Sequence, residues 1–225
     1  MGEYISKYPT GVAVDNALDA GLAASAEVVN ARGGFESLSA RLAALEYEDI
    51  AITSFTVSPS ICELGSSNTI SLAWSLNKAA TQQTINGTPV TGNSKAFTSV
   101  TTNTTYQLDV ADDQASATKN VSVDFANQIY FGAASDLTTV TQLDKVLSNT
   151  KTRTITVDAG TSEYIVYAYP SRLGDVTFYV SGFEGGFESP IEQFLANASG
   201  YHESYKIYRS ANSGLGLTTV EIKEG

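Results

Sequence analysis

The sequence predicts a mainly β protein that carries a helical arm at its N-terminus and, after the arm, a β-sandwich followed by a second β-rich domain. Three observations predict this. Residues 1–50 are rich in Ala and space their apolar side chains by three and four. Residues 51–126 hold short segments of alternating polarity bounded by turn residues. Residues 127–225 repeat that alternation with many glycines and tyrosines. At 225 residues the chain is longer than one typical domain, about 100–150 residues.

In the arm, Val14, Ala17, Gly21, Ala24, Val28, Ala31, Phe35, Leu38, Leu42 and Leu45 follow the a/d spacing of a heptad. Gly33-Gly34 interrupts any continuous helix, at about 1 kcal/mol per glycine. Beyond the break, Phe35, Leu38, Leu42 and Leu45 form one stripe, with Arg41 at g and Glu46 at the following e, the spacing of an interchain ion pair. These residues are the expected oligomerisation site; the alternative is an amphipathic helix packed on its own chain. Two heptads cannot hold strands together unaided.

From residue 51 the period changes to two. Ile52–Val57 alternates and Pro59 ends it, and Thr69–Leu76 places Ile70, Leu72, Trp74 and Leu76 on one face. Asn86-Gly87 marks a tight turn. Thr105–Val110 and Lys119–Phe125 complete a set of short strands about as long as a small antiparallel sandwich requires. The single Trp on an inward face suits an immunoglobulin-like core. In the last segment the spacing of Thr141, Leu143, Val146 and Leu147 predicts a short helix, and strands are predicted at 152–157, 163–169, 176–180, 204–208 and 217–222.

Composition narrows the function. Charged residues are only 16% of the chain, against about 25% in an average globular domain, and uncharged polar residues fill the gap. A net charge of −11 opposes binding to nucleic acid or an anionic membrane surface, since both require clustered Lys and Arg. No apolar run approaches the length of a membrane span. The start Met1-Gly2-Glu3-Tyr4 lacks the basic and apolar regions of a secretory signal, so folding in a reducing cytoplasm is expected. The single Cys62 reads as a buried small hydrophobe.

Chemistry-bearing patterns are sparse, and neither catalysis nor a cofactor or metal is expected. His202 is the sole histidine, and Gly214-Leu215-Gly216 lacks the remainder of a dinucleotide fingerprint. Asp109 and Asp112-Asp113 read as a solvated turn, without a calcium-loop pattern. Glu184 and Glu188 lie on a glycine loop ill suited to a glycosidase cleft. Tyrosines concentrate in the last segment, where core packing competes with surface stacking on a glycan.

The stretch Ala26-Glu-Val-Val-Asn-Ala-Arg-Gly-Gly-Phe-Glu-Ser-Leu-Ser-Ala-Arg-Leu42 resembles a segment near the start of bacteriophage tail-fibre and baseplate proteins, with Asn30 where Asp is more usual. The resemblance covers under a tenth of the chain. Trp74–Lys78 and Thr84–Gly87 resemble the immunoglobulin-like domains of phage tail and head-fibre proteins. Lys151–Tyr169 and Gly200–Tyr205 more weakly resemble the terminal domains of such appendages. The resemblance implies a structural component of a virion that assembles as a homotrimer. Its N-terminal arm would join other virion proteins. Its C-terminal domain would point outward, with Tyr201, His202 and Tyr205 as candidate contacts to a host-surface glycan. The rival readings are a bacterial surface adhesin or carbohydrate-binding module and, less well matched, a glycan-degrading tail enzyme.

Overall fold

The computed structural model describes residues 11–225, with side chains from residue 18 onward. Val14 and Ala17 of the heptad therefore lie outside the residues whose side chains are described. The chain divides into two units, residues 1–49 and 50–225.

The first unit contains α1 (Gly11–Arg32) and α2 (Leu38–Leu45). Gly33 ends α1, as the glycine pair predicts. It takes φ +60, and its N–H donates to the Val29 and Asn30 carbonyls at 3.2 and 3.1 Å, a left-handed helix stop that glycine adopts without side-chain strain. Ser37 starts α2, its Oγ accepting the Ala40 N–H at 3.0 Å. Phe35 therefore lies in the bend rather than on α2, and Glu46 is the C-cap residue. The expected stripe is thus carried on the helix only by Leu38, Leu42 and Leu45.

The second unit is mainly β. Its first half holds β1 (Ile52–Ser58), β2 (Ile61–Glu63), β3 (Asn68–Leu76), β4 (Gln82–Ile85), β5 (Thr88–Pro89), β6 (Ser94–Val100) and β7 (Thr104–Ala111). Next comes β8 (Ser116–Ala134), a strand of 19 residues. The second half holds β9 (Asp144–Ser148), β10 (Arg153–Ala159), β11 (Tyr164–Pro170), β12 (Val176–Val180), β13 (Phe183–Glu184), β14 (Ile191–Ala196), β15 (His202–Arg209) and β16 (Gly216–Glu224).

Strands β1, β3 and β6 form one antiparallel sheet, and β10, β16, β12 and β13 another. The largest sheet runs β14-β15-β11-β8-β7-β4-β5, with β2 and β9 also paired to β8. Strand β8 joins the halves. It pairs with β7 over residues 116–123, with β2 in parallel over 124–126, and with β9 and β11 over 127–134. Position 126/127, where the sequence suggests a domain boundary, falls inside this strand.

The first half encloses a core of Phe55, Ile70, Leu72, Trp74, Leu108 and Phe125, with buried Cys62 at its side. Ile70, Leu72 and Trp74 share a face, as the alternation predicts, and Trp74 Nε1 donates to Gln83 Oε1 at 2.6 Å. The second half has a core on each face of its part of the large sheet. Ile165, Tyr167, Tyr169 and Tyr208 face the β10-β16-β12-β13 sheet, while Tyr130, Val166, Ala168, Tyr205 and Ile207 pack with Leu137, Val140 and Leu143.

The helix expected from Thr141 to Leu147 does not form. A single 3-10 turn covers Val140–Gln142, and β9 follows, pairing Val146 with Ile129 and Leu147 with Gln128. Pairing along β8 satisfies the backbone and buries part of this short apolar run, which outweighs a helical spacing too short to nucleate alone.

Candidate interaction surfaces

In the helical unit, the described side chains of α1 are almost all exposed, and α2 buries none. Leu42 is 54% exposed and Leu45 73%, and Leu18, Leu22, Val28, Val29, Phe35 and Leu38 are open as well. The helical unit by itself thus offers these apolar positions no core. In the single chain Arg41 turns back onto α1. Its Nη1 donates to the Ala31 carbonyl and, at 3.5 Å, to Asn30, the last carbonyls of α1. A cation there also opposes the negative end of the helix dipole.

The expected contact group at the far end of the chain separates. Tyr201 is 38% exposed, and His202 is exposed at the start of β15. Tyr205 is 4% exposed, packs on Tyr130 at 5.8 Å and donates its hydroxyl to the Gln128 carbonyl at 2.9 Å. It is a core residue, and the contact role expected of it does not fit its burial. The cause is alternation along β15, which turns Tyr205 and Ile207 to one buried face and Tyr208 to the other. Most other tyrosines of the segment also go to the interior. Burial pushes Tyr167 up to about 12, and Tyr169 and Tyr205 are raised further by burial.

Tyr201 has a structural contact of its own. It lies against Gly65, where an added Cβ would come within 2.6 Å of the Tyr201 Cβ. Beside it Asn197 Nδ2 donates to the Leu64 carbonyl at 2.6 Å, and Glu63 accepts from Gln128 at 3.0 Å. Asn127 donates to Glu203, whose second oxygen holds Arg172 at 2.6 Å. The Asn197 bond fastens the β2 loop of the first half to the turn between β14 and β15, while the others tie β2 and β15 to β8 and to the 171–173 turn. A shallow depression lined by Asn127, Tyr130, Asn197, Tyr201 and Glu203 is thus occupied by its own polar network.

An open groove of about 330 Å³ lies between β12 and the 184–190 segment, lined by Phe178, Phe187, Tyr208, Glu184 and Glu188. Phe187 stacks on Phe178 at 3.9 Å. Glu184 accepts from the Tyr179 hydroxyl at 3.3 Å, and Glu188 makes a two-pronged pair with Arg209 at 2.6 and 3.1 Å. That pair holds the Glu188 carboxyl below its ordinary range and the arginine above its own. Both carboxylates of the groove are therefore held by side-chain partners, Glu184 by a tyrosine hydroxyl and Glu188 by an arginine.

No protein-family model matches the chain, and no curated protein matches its sequence.

Asp112 forms the turn expected of Asp112-Asp113: its Oδ1 accepts the Gln114 and Ala115 N–H groups, and its Oδ2 pairs with Lys78 at 2.7 Å. Among the described residues no group of three metal-ligating side chains converges. Sequence reasoning missed two exposed aromatics near the 184–190 segment, Phe183 at 79% and Phe194 at 74%. Phe194 stands opposite Ser204 on the edge strand β14. A phenylalanine paired with serine and sharing its strand face with Glu192, itself opposite Lys206, is the signal that could have marked it as outward-facing.

Proposed function

We propose that this chain is a non-enzymatic structural component of a bacteriophage virion, an oligomeric fibre or baseplate- or head-type appendage. In this reading residues 1–50 form the arm that self-associates and joins other virion proteins. The observation that carries the reading is the contrast at residue 50: a helical unit whose leucines lie open, followed by a β unit with its own cores. An arm completed by other subunits has this property, and the resemblance of residues 26–42 to phage anchoring segments supplies the context. The buried Trp74 between two sheets supports an immunoglobulin-like middle portion. The C-terminal half, with exposed Tyr201, His202, Phe183 and Phe194, would be the outward end, where weak contacts gain strength from multiple copies.

An antibody against this chain tests the assignment. Applied to intact phage particles from cells that express the gene, it should decorate an appendage seen by electron microscopy. Uniformly bare particles would sink the virion reading and favour the rival, a bacterial surface adhesin, for which label on the cell envelope is the expected result.

A further inference from the structure

The bend between α1 and α2 separates two stretches whose heptad spacing is nevertheless in phase. Gly21, Ala24, Val28, Ala31, Phe35, Leu38, Leu42 and Leu45 alternate by three and four without a skip, straight across Gly33-Gly34. A bend that only linked two separate helices would have no reason to keep this count. Each half alone supplies about two heptads, too few for a stable coiled coil, whereas the joined stretch supplies nearly four.

We infer that the helical unit is a two-state element: bent in the single chain, and straightened on assembly into one helix that forms a parallel coiled-coil seam with other copies of this chain. The inference rests on the self-association proposed above and specifies its geometry. The partner is another copy because the exposed residues form a self-complementary pattern, apolar at a and d with Arg41 at g and Glu46 at e. Folding back does not satisfy the apolar residues, since Phe35, Leu38 and Leu42 stay between 43% and 54% exposed in the bent form. Arg41 is the exchangeable contact. In the bend it caps the Ala31 carbonyl; in a straight helix that carbonyl accepts the Phe35 N–H, leaving Arg41 to pair with Glu46 of a neighbour.

The two glycines give a test with a definite sign. In the bent form Gly33 is left-handed at φ +60, which alanine resists, while a Cβ on Gly34 would meet nothing within 4 Å. In a continuous helix each Gly→Ala change is favourable, about fivefold in the equilibrium per glycine per chain. The variant Gly33→Ala/Gly34→Ala should therefore associate at least ~20-fold more tightly than the wild type by sedimentation equilibrium. Gly34→Pro, which forbids a helix through the bend, should weaken association. If the wild type associates and the double-alanine variant is unchanged or weaker, the straightening is wrong while the self-association stands. If wild type and double-alanine variant are both monomers at every concentration, both ideas fall. The near-ultraviolet spectrum of Trp74, remote in sequence from the substitutions, reports that the β unit remains folded in each variant.

Discussion

The helical unit and the β unit solve the same problem, the burial of apolar side chains, in opposite ways. In the β unit Ile70, Leu72, Leu108, Ile165 and Tyr167 are fully enclosed within one chain, and every sheet has a layer against it. In the helical unit Leu18, Leu22, Leu42 and Leu45 remain open, although its residue types are those of a good helix former. The difference teaches that apolar spacing specifies a surface but not what covers it. Strands distant in sequence supply each other's cover through pairing. A short two-helix arm with an Ala-rich face has too little side-chain volume to do so, and must find cover elsewhere or go without.

That contrast predicts that substitutions will act on one unit and not the other. The largest effect is expected at Trp74. Its replacement by Ala empties a core site against Phe55, whose ring lies edge-on at 6.4 Å, and should cost about 3–5 kcal/mol. Denaturant titration measures this, and a change below about 1 kcal/mol would mean that the site is far less enclosed than described. Leu42→Asp is the converse. It should leave the melting temperature of the β unit within a degree or two, roughly what an exposed change permits. It should weaken self-association about tenfold or more by placing a carboxylate in an apolar seam. Equal loss of both properties would erase the distinction between the units.

Two further expectations concern ionisation within the β unit. Tyr130, Tyr167, Tyr169 and Tyr205 all have folded-state values raised by burial. A raised acid group contributes stability that is complete below its unfolded value, near 10 for tyrosine, and is lost as pH rises toward the folded value. Stability should therefore fall from about pH 10 upward, through the Tyr167 value of about 12. Absorbance at 295 nm should show these tyrosines ionising together with unfolding, and free ionisation at pH 10 with the fold intact would contradict their burial. The smallest effect is expected at Arg209→Ala. It removes an exposed pair with Glu188 and a stacking contact over Tyr164 at 4.8 Å. In acid the lowered Glu188 carboxyl loses its contribution as pH falls through its folded value. The difference in melting temperature between the wild type and Arg209→Ala should thus narrow as the Glu188 carboxyl protonates in acid, leaving the share that the Tyr164 contact supplies.

How much of this was legible in the sequence depended on whether one face or two had to be buried. Ile70, Leu72 and Trp74 alternate cleanly with Ser71, Ala73 and Ser75 because β3 has one buried and one exposed face, so period two announces it. Strand β11 is buried on both faces from Ile165 to Pro170, and its unbroken apolar run still marked a strand. The reading failed where pairing decided. Leu143, Val146 and Leu147 fit a helix within a seven-residue window, and only pairing of 144–148 with residues 127–131 of β8 makes a strand there. Strand β14 was not foreseen because Glu192-Gln193-Phe194 shows neither period on a sheet edge. Tyr205 entered as a candidate contact through the resemblance of residues 200–205 to appendage terminal domains, whereas its i, i+2 neighbour Ile207 shares its buried face. For the helical unit the bend at Gly33 was visible in full, whereas Arg41 turning back to Ala31 was not, since a side chain's choice between a carbonyl and a neighbouring chain leaves no trace in composition.

Strand β8 has a mechanical meaning. At about 3.3 Å per residue, its 19 residues run roughly 60 Å, and no loop interrupts the passage from the core around Trp74 to the core around Tyr167. A load carried along this strand falls as shear on its ladders to β7 and β11, in which many hydrogen bonds must yield at once rather than one at a time. The two halves are thereby joined by continuous backbone pairing rather than by a hinge. A flexible linker at the same position would instead have let them swivel and unravel separately.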